Sequence, residues 1–193
     1  MHGGQWTSEG SAAGSIGLAG PKPPGIGHNK PPKDLRQTIP RTKPSTAEER
    51  KPFLDLVARS ALVWALIASG FGWLKEYQAE LTSYNDPPKS LEELQQNVLE
   101  PTTPGYQDHH IRMQKPARDE KFPDELIDGP ENLVRIPTRK HREITAWFGK
   151  PHDKFTNERG DRISPQEYLR GKNWDERRRI GIDALIENGV LKP

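Results

Sequence analysis

The stretch ENLVRIPTRKHREITAWF, residues 131–148, predicts a short strand that runs directly into a helix. The stretch from Leu133 to Ile136 is apolar except for Arg135 and has the length of a strand. Pro137 ends it, because proline cannot donate to a sheet ladder. Thr138 is then expected to cap the helix. Upstream, GYQDHHI, residues 105–111, is bounded by turn-forming residues and fits a second strand. The order strand, loop, strand, helix predicts a small α+β unit.

Two further helices are predicted on the C-terminal side of this unit. In SPQEYLRG, Ser164 is the expected cap, Pro165 the first helical residue and Gly171 the stop. In NWDERRRIGIDALIENG, Asn173 is expected to cap the helix and Gly189 to end it. The C-terminal part of the chain is therefore predicted to be mainly helical, with one pair of strands.

The chain is predicted to have three regions. Residues 1–45 are rich in glycine, serine and proline and are expected to form a disordered tail. Residues 46–100 are expected to form a helical docking or linker segment, with one helix over 46–82 and a short second helix in SLEELQQNVL. The break EPTTPG sets the boundary to the third region, residues 101–193, which contains the two strands.

Composition excludes several classes of protein and of site. Hydrophobic residues make up 32% of the 193 residues, and 19 prolines interrupt the chain, so a single core over the whole length is not expected. The absence of cysteine excludes disulfides and thiolate metal sites, which leaves His, Asp, Glu or water as metal ligands. A net charge of +2 means that any basic surface for nucleic acid must be local.

The most apolar segment, VARSALVWALIASGFGWL at residues 57–74, is predicted to be a buried or partner-facing helix. Its uncharged part runs only from Ser60 to Leu74, whereas a membrane span needs about 20 apolar residues. A membrane is therefore not an expected partner. The first residues lack both a basic start and an apolar run, so no secretory signal peptide is expected.

Asp108, His109 and His110 stand side by side, with Asn132 and His141 downstream, and together they form a candidate site. Hydrolysis of a nucleic-acid backbone needs a divalent cation to stabilise developing charge. It also needs a general base with a pKa near working pH, which histidine has. Two adjacent residues on a strand edge can supply a ligand and a base, and a nearby helix can supply a second ligand.

The pattern HH…EN-LVRIP-TRKHREI resembles the HNH, or His-Me finger (ββα-metal), nuclease motif. That motif is a hairpin carrying an acidic residue or histidine followed by histidine, then an asparagine and a helical metal-binding histidine. The wider set PPKSLEELQQ, GPENLVRIPTRKH and SPQEYLRGKNWDERRRIGIDALIENGVLKP resembles the C-terminal nuclease region of bacterial polymorphic toxins and prophage-type proteins. This resemblance spans residues 85–193.

The resemblance implies a fold, an activity and a role for each residue. The implied fold is α+β and mainly helical: a small ββα-metal finger followed by two helices and preceded by the helical segment. His110 would be the general base, Asn132 would brace the hairpin and orient the base, and His109 and His141 would bind a divalent ion (Mg, Mn, Ni or Zn), with Asp108 as a further candidate ligand. The implied substrate is nucleic acid, with DNA expected before RNA. The resemblance also implies an immunity protein as a partner. The protein would be cytoplasmic or delivered as a secreted effector.

Four basic residues flank the proposed metal site and are predicted to contact the nucleic-acid backbone: Arg135, Arg139, Lys140 and Arg142.

Two alternatives stay open at this point, beside a membrane-associated structural protein, which would rest only on residues 57–74. In the first, Asp108 binds the metal and His109 is the base; the His109–His110 register is favoured because the family's base precedes an apolar residue, as Ile111 is. In the second, the chain is a non-catalytic nucleic-acid- or protein-binding module on a degenerate HNH scaffold. Thr145 and Met113 favour it, because they replace residues that related nucleases carry at those positions.

Overall fold

The computed structural model describes residues 33–193 and confirms the predicted class, a mainly helical α+β fold with one small antiparallel sheet. In chain order the elements are α1 (Lys33–Thr38), α2 (Ala47–Ser60), α3 (Val63–Ala68), a 3₁₀ helix (Gly72–Tyr77), α4 (Gln78–Ser83), α5 (Leu91–Leu99), β1 (Tyr106–His110), α6 (Gln114–Asp119), α7 (Asp124–Ile127), a 3₁₀ turn (Pro130–Asn132), β2 (Leu133–Pro137), α8 (Thr138–Gly149), α9 (Pro165–Tyr168) and α10 (Trp174–Glu187).

Buried apolar side chains form two clusters that divide the described chain into two units. One cluster draws only on residues between Ile39 and Tyr84, and we call residues 33–84 the helical unit. The other draws only on residues between Leu91 and Leu191, and we call residues 86–193 the finger unit. The short helix α5, which was predicted to belong with the preceding segment, buries Leu94 in the finger core. The cores therefore separate before α5, and not at the break at residues 100–105.

The helical unit differs from the predicted single helix over residues 46–82. The capping box of Thr46 and Glu49 is present and starts α2, but the chain leaves the helix at Ala61, whose φ is +55°. The apolar segment 57–74 then folds back as α3 and the 3₁₀ helix around a shared core. Within residues 33–193, no helix combines the length and the apolar character that crossing a membrane requires.

Part of the predicted disordered tail is folded. Residues 33–38 form α1, and Ile39 is 2% exposed in the core of the helical unit. The sequence pattern missed this element because its helical and apolar signals are short and lie between prolines. The rest of that predicted tail, residues 1–32, lies outside the described residues.

The two strands pair antiparallel over five residue positions, as the order of the motif predicted. His109 lies opposite Val134, and His110 lies opposite Leu133. The expected cap at Thr138 is wrong: Thr138 is the first helical residue, and no side chain caps the helix there. Its backbone N–H instead donates to the Gly105 carbonyl at 2.9 Å, which ties the start of α8 to the start of β1.

The C-terminal helices have the predicted caps. Ser164 accepts a hydrogen bond from the Glu167 N–H at 3.2 Å, and Asn173 accepts one from the Glu176 N–H at 2.9 Å. Gly189, beyond the end of α10, has the positive φ of a helix stop, +66°.

The helical unit docks on the finger unit through a close backbone approach. Gly105 has a φ of +91°, and a Cβ at this position would lie 2.5 Å from the Ala79 carbonyl oxygen in α4. The Ser83 hydroxyl donates to the Gly105 carbonyl at 2.9 Å. The entrance to β1 is therefore held directly against α4.

Helix α10 supports the hairpin from the other side at Gly181. A Cβ on this residue would lie 1.9 Å from the Ile111 carbonyl oxygen, directly after His110. No other residue type leaves room for this contact, because backbone cannot rotate away as a side chain can.

We expect Gly181→Ala to lower the free energy of unfolding by about 3 kcal/mol, since overpacking against backbone outweighs the gain in helix propensity. Urea unfolding followed by circular dichroism measures it. The matched control is Gly149→Ala at the end of α8, where a Cβ would meet nothing within 4 Å. Equal stability of the two variants would contradict the close packing of α10 on the hairpin.

Candidate metal and base site

His109 on β1 and His141 on α8 face each other between the hairpin and the helix. Their ring centroids are 4.9 Å apart and the rings are nearly perpendicular. His109 is 8% exposed, and its Nε2 atom is buried without a hydrogen-bond partner. A buried ring nitrogen without a partner is costly unless something binds it. This atom is therefore the clearest sign of a ligand position at the predicted site.

The environment keeps both imidazoles neutral. Burial, then the nearby His141 and His110, lowers the pKa of His109 to about 3. Burial, then the charge of Arg142 and that of His110, lowers the pKa of His141 below its ordinary value. Neutral imidazole is the form that binds metal ions, so the pair meets the protonation requirement of a metal site.

His110 lies on the opposite face of the hairpin from His109, because successive side chains of a strand alternate. Its Nε2 is 3.1 Å from Oδ1 of Asp128, which follows α7. The same carboxylate accepts hydrogen bonds from Gln114 at 2.9 Å and from Arg118 at 2.5 Å. The predicted base is thus held by a polar network of the loop between the strands.

Asn132 closes this loop and is 1% exposed. Its side-chain carbonyl accepts the Arg112 backbone N–H at 2.8 Å, and its amide donates to the Ile127 carbonyl at 2.8 Å. Its own backbone carbonyl accepts the Ile111 N–H at 2.8 Å. Asn132 therefore joins the two ends of the loop between the strands, although no hydrogen bond links it to His110.

Asp108 is not brought to the histidine pair. It lies opposite Arg135 in the strand register, and the Arg135 guanidinium binds its carboxylate with Nε to Oδ1 at 2.7 Å. Strand alternation places Asp108 on the face away from His109 and His141. Asp108 is therefore too far from His141 to bind a metal ion together with it. The alternative assignment, in which Asp108 binds the metal and His109 is the base, does not fit this geometry either.

Two of the four basic residues that were predicted to bind the nucleic-acid backbone are buried and bind other parts of the protein. Arg135 is 6% exposed and also donates to the carbonyls of Glu100 and Pro101 at the end of α5. Arg139, also 6% exposed, pairs with Asp55 and Glu80 of the helical unit. These guanidinium groups hold the fold together and do not face solvent.

The other two cations lie nearer the surface. Lys140 sits over the Tyr84 ring, 4.4 Å from its centroid. Arg142 pairs with Glu80 at 2.6 Å, but its side chain is 60% exposed. Of the predicted set, Arg142 is the cation best placed to meet a phosphate.

The described residues contain no group of three or more His, Asp or Glu side chains placed to hold a metal ion. Thr145, one turn after His141, does not supply a third ligand, because its hydroxyl donates to the His141 carbonyl at 2.9 Å. The pair His109 and His141 thus offers two protein nitrogens, and further ligands would have to be water and substrate oxygens.

The sequence pattern missed Asp128 and its supporting residues, Gln114 and Arg118. They lie in a stretch that showed only polar composition, and nothing in its spacing marks which carboxylate reaches His110.

No protein-family model matches the chain, and no curated protein or solved structure is significantly similar to it.

We expect His109 to make stability depend on pH. The unfolded chain binds a proton on this histidine near pH 6.5, about the ordinary value, whereas the folded protein does so near pH 3. The stabilisation is complete above about pH 6.5 and is lost as the pH falls towards 3. Between about pH 6 and pH 4, the free energy of unfolding of the metal-free protein should fall about 1 kcal/mol per pH unit more steeply than that of His109→Gln. Parallel profiles from chemical denaturation would mean that His109 is protonated in the fold.

We expect Arg139→Ala to lower the free energy of unfolding by about 3 kcal/mol, because it leaves Asp55 and Glu80 without their buried partner. Arg142→Ala removes an exposed partner of the same Glu80 and should change the free energy of unfolding by less than about 1 kcal/mol. Thermal and urea unfolding of both variants measure the difference. A similar small effect of the two would contradict the structural role of Arg139.

Proposed function

We propose that the finger unit is the catalytic site of a metal-dependent endonuclease that hydrolyses nucleic-acid phosphodiesters, DNA first. The observation that carries the proposal is the unpartnered Nε2 of buried His109 beside the ring of His141. The ββα arrangement of β1, β2 and α8 supports it. His110 lies on the other face of the hairpin, but it is near enough for its charge to act on both His109 and His141. It also agrees with the resemblance of residues 85–193 to HNH nucleases of toxin and prophage-type proteins.

His109 and His141 would hold the divalent ion. Two neutral imidazoles favour Ni²⁺ or Zn²⁺ over Mg²⁺, which prefers oxygen ligands. When bound, such an ion supplies positive charge for the phosphate and the leaving oxygen. Burial of His109 would limit the movement of its ring before substrate arrives.

His110 would be the general base. Histidine as a residue type takes up protons near neutral pH, so a correctly held ring can accept a proton from the attacking water. Asn132 would support this role through the backbone on both sides of the loop. Arg142, next to His141 on α8, would neutralise a phosphate of the substrate backbone.

A non-catalytic nucleic-acid- or protein-binding module on the same scaffold is the second candidate. The absence of a third ligating side chain within residues 33–193 favours it, as does the engagement of Thr145 with its own helix. It differs from the first candidate in a measurable way, because it binds without cutting.

We expect the purified full chain to nick supercoiled plasmid in the presence of Ni²⁺, Zn²⁺, Mn²⁺ or Mg²⁺ and to stop when EDTA is added. His110→Ala should lower the rate about 100-fold or more, since general-base catalysis contributes at least that much. His109→Ala should weaken metal binding, measured by calorimetry. The control is His152→Gln, which changes a histidine outside the site. If the folded protein binds DNA but cuts neither DNA nor RNA with any of these metals, the endonuclease proposal is wrong and the binding module is the remaining candidate.

A further inference from the structure

The loop between the strands ends on a carboxylate that meets the ring of His110. Asp128 Oδ1 lies 3.1 Å from His110 Nε2, and two other side chains of the loop hold the same carboxylate. Gln114 donates to Oδ1 at 2.9 Å, and Arg118 donates to Oδ2 at 2.5 Å. Asp128 is therefore fixed from three directions although its side chain is 46% exposed.

Asn132 is hydrogen-bonded to the backbone near each of these two residues. Its side chain is bonded to Arg112, two residues after His110, and to the carbonyl of Ile127, the residue before Asp128. Because Asn132 is buried, these bonds are not exchanged with water. One amide thus clamps the two backbone segments that carry His110 and Asp128.

The chemistry of the contact fixes which ring nitrogen carries the proton. The hydrogen bond from Gln114, then that from His110 and the charge of Arg118, holds the pKa of Asp128 below its ordinary value, so the carboxylate is ionised and can only accept. His110 Nε2 must then be the donor. Gln114 also lies 3.4 Å from this nitrogen, but it has its shorter partner in Asp128. Neutral imidazole has one N–H, which leaves the lone pair on Nδ1.

We propose that Asp128 is the positioning residue of the site: held by the Asn132 clamp, it keeps His110 in the tautomer with Nε2 protonated and Nδ1 free to accept a proton. The proposal gives the buried Asn132 a role, although no hydrogen bond links its side chain to His110. Its catalytic consequence rests on the proposed nuclease function, whereas the tautomer itself is a property of the resting protein.

The first arm of the test reads the tautomer without any reaction. In ¹⁵N-labelled, metal-free full-length protein at pH 8, long-range ¹H–¹⁵N spectra report the proton on each ring nitrogen of His110. We expect Nε2–H in the wild type and a mixture of tautomers in Asp128→Ala. Glu125→Ala removes the same charge from α7, where Glu125 is exposed, and should leave the wild-type spectrum. A proton on Nδ1 in the wild type, or a tautomer unchanged in Asp128→Ala, overturns the proposal.

The second arm measures plasmid nicking by the same three proteins with the metal that gives the highest rate. We expect kcat of Asp128→Ala to fall about 10- to 100-fold with KM for plasmid little changed, as for partners that orient a catalytic histidine. A tautomer change without loss of kcat in an active enzyme overturns the catalytic role. If the wild type cuts nothing while the tautomer responds to Asp128, the nuclease function fails and the positioning contact stands.

Discussion

A two-stranded hairpin of five residue pairs is marginally stable at best when it is alone in water, and this constraint shapes the finger unit. Both faces of the hairpin must be covered by other elements. On one face of the hairpin, Val134 and Ile136 pack into the finger core. On the other, Arg135 donates to the backbone at the C-terminal end of α5. Successive side chains of a strand point to opposite faces. His109 therefore packs against His141 of α8, and His110 meets Asp128 of the loop between the strands. The two histidine side chains therefore have different environments, His109 being buried and His110 partly exposed.

Buried arginines join parts of the chain that are far apart in sequence. Arg135 binds the end of α5 and Asp108, and Arg139 binds two helices of the helical unit. Arg177, 1% exposed on α10, donates to Glu120 and to the carbonyls of Leu169 and Lys172. Guanidinium suits this use because its planar set of N–H groups can satisfy several acceptors at once. The charge is balanced within each cluster, which is what makes burial of such groups tolerable.

The features predicted from sequence are those whose signals are local. The strand, the following helix and the caps at Ser164 and Asn173 depend on neighbouring residues, and the structure has them. The break at Ala61 depends on how the helical unit packs around its core, which periodicity does not report. The candidate site divides in the same way. His109 and His141 could be paired from their order in the motif, whereas the removal of Asp108 by Arg135 is a cross-strand contact that no local pattern encodes.

The contact of Gly181 with the Ile111 carbonyl also has a consequence for a chain that folds while it is being synthesised. Residue 181 is translated after β1, β2 and α8, so the hairpin lacks its support until α10 has left the exit tunnel. Contacts that span so much of the chain form late and slowly, because the loop between them must first be closed. A nascent chain would therefore carry its histidines in an unassembled hairpin. The site proposed here for metal binding would therefore be completed only after residue 181 has been added to the chain.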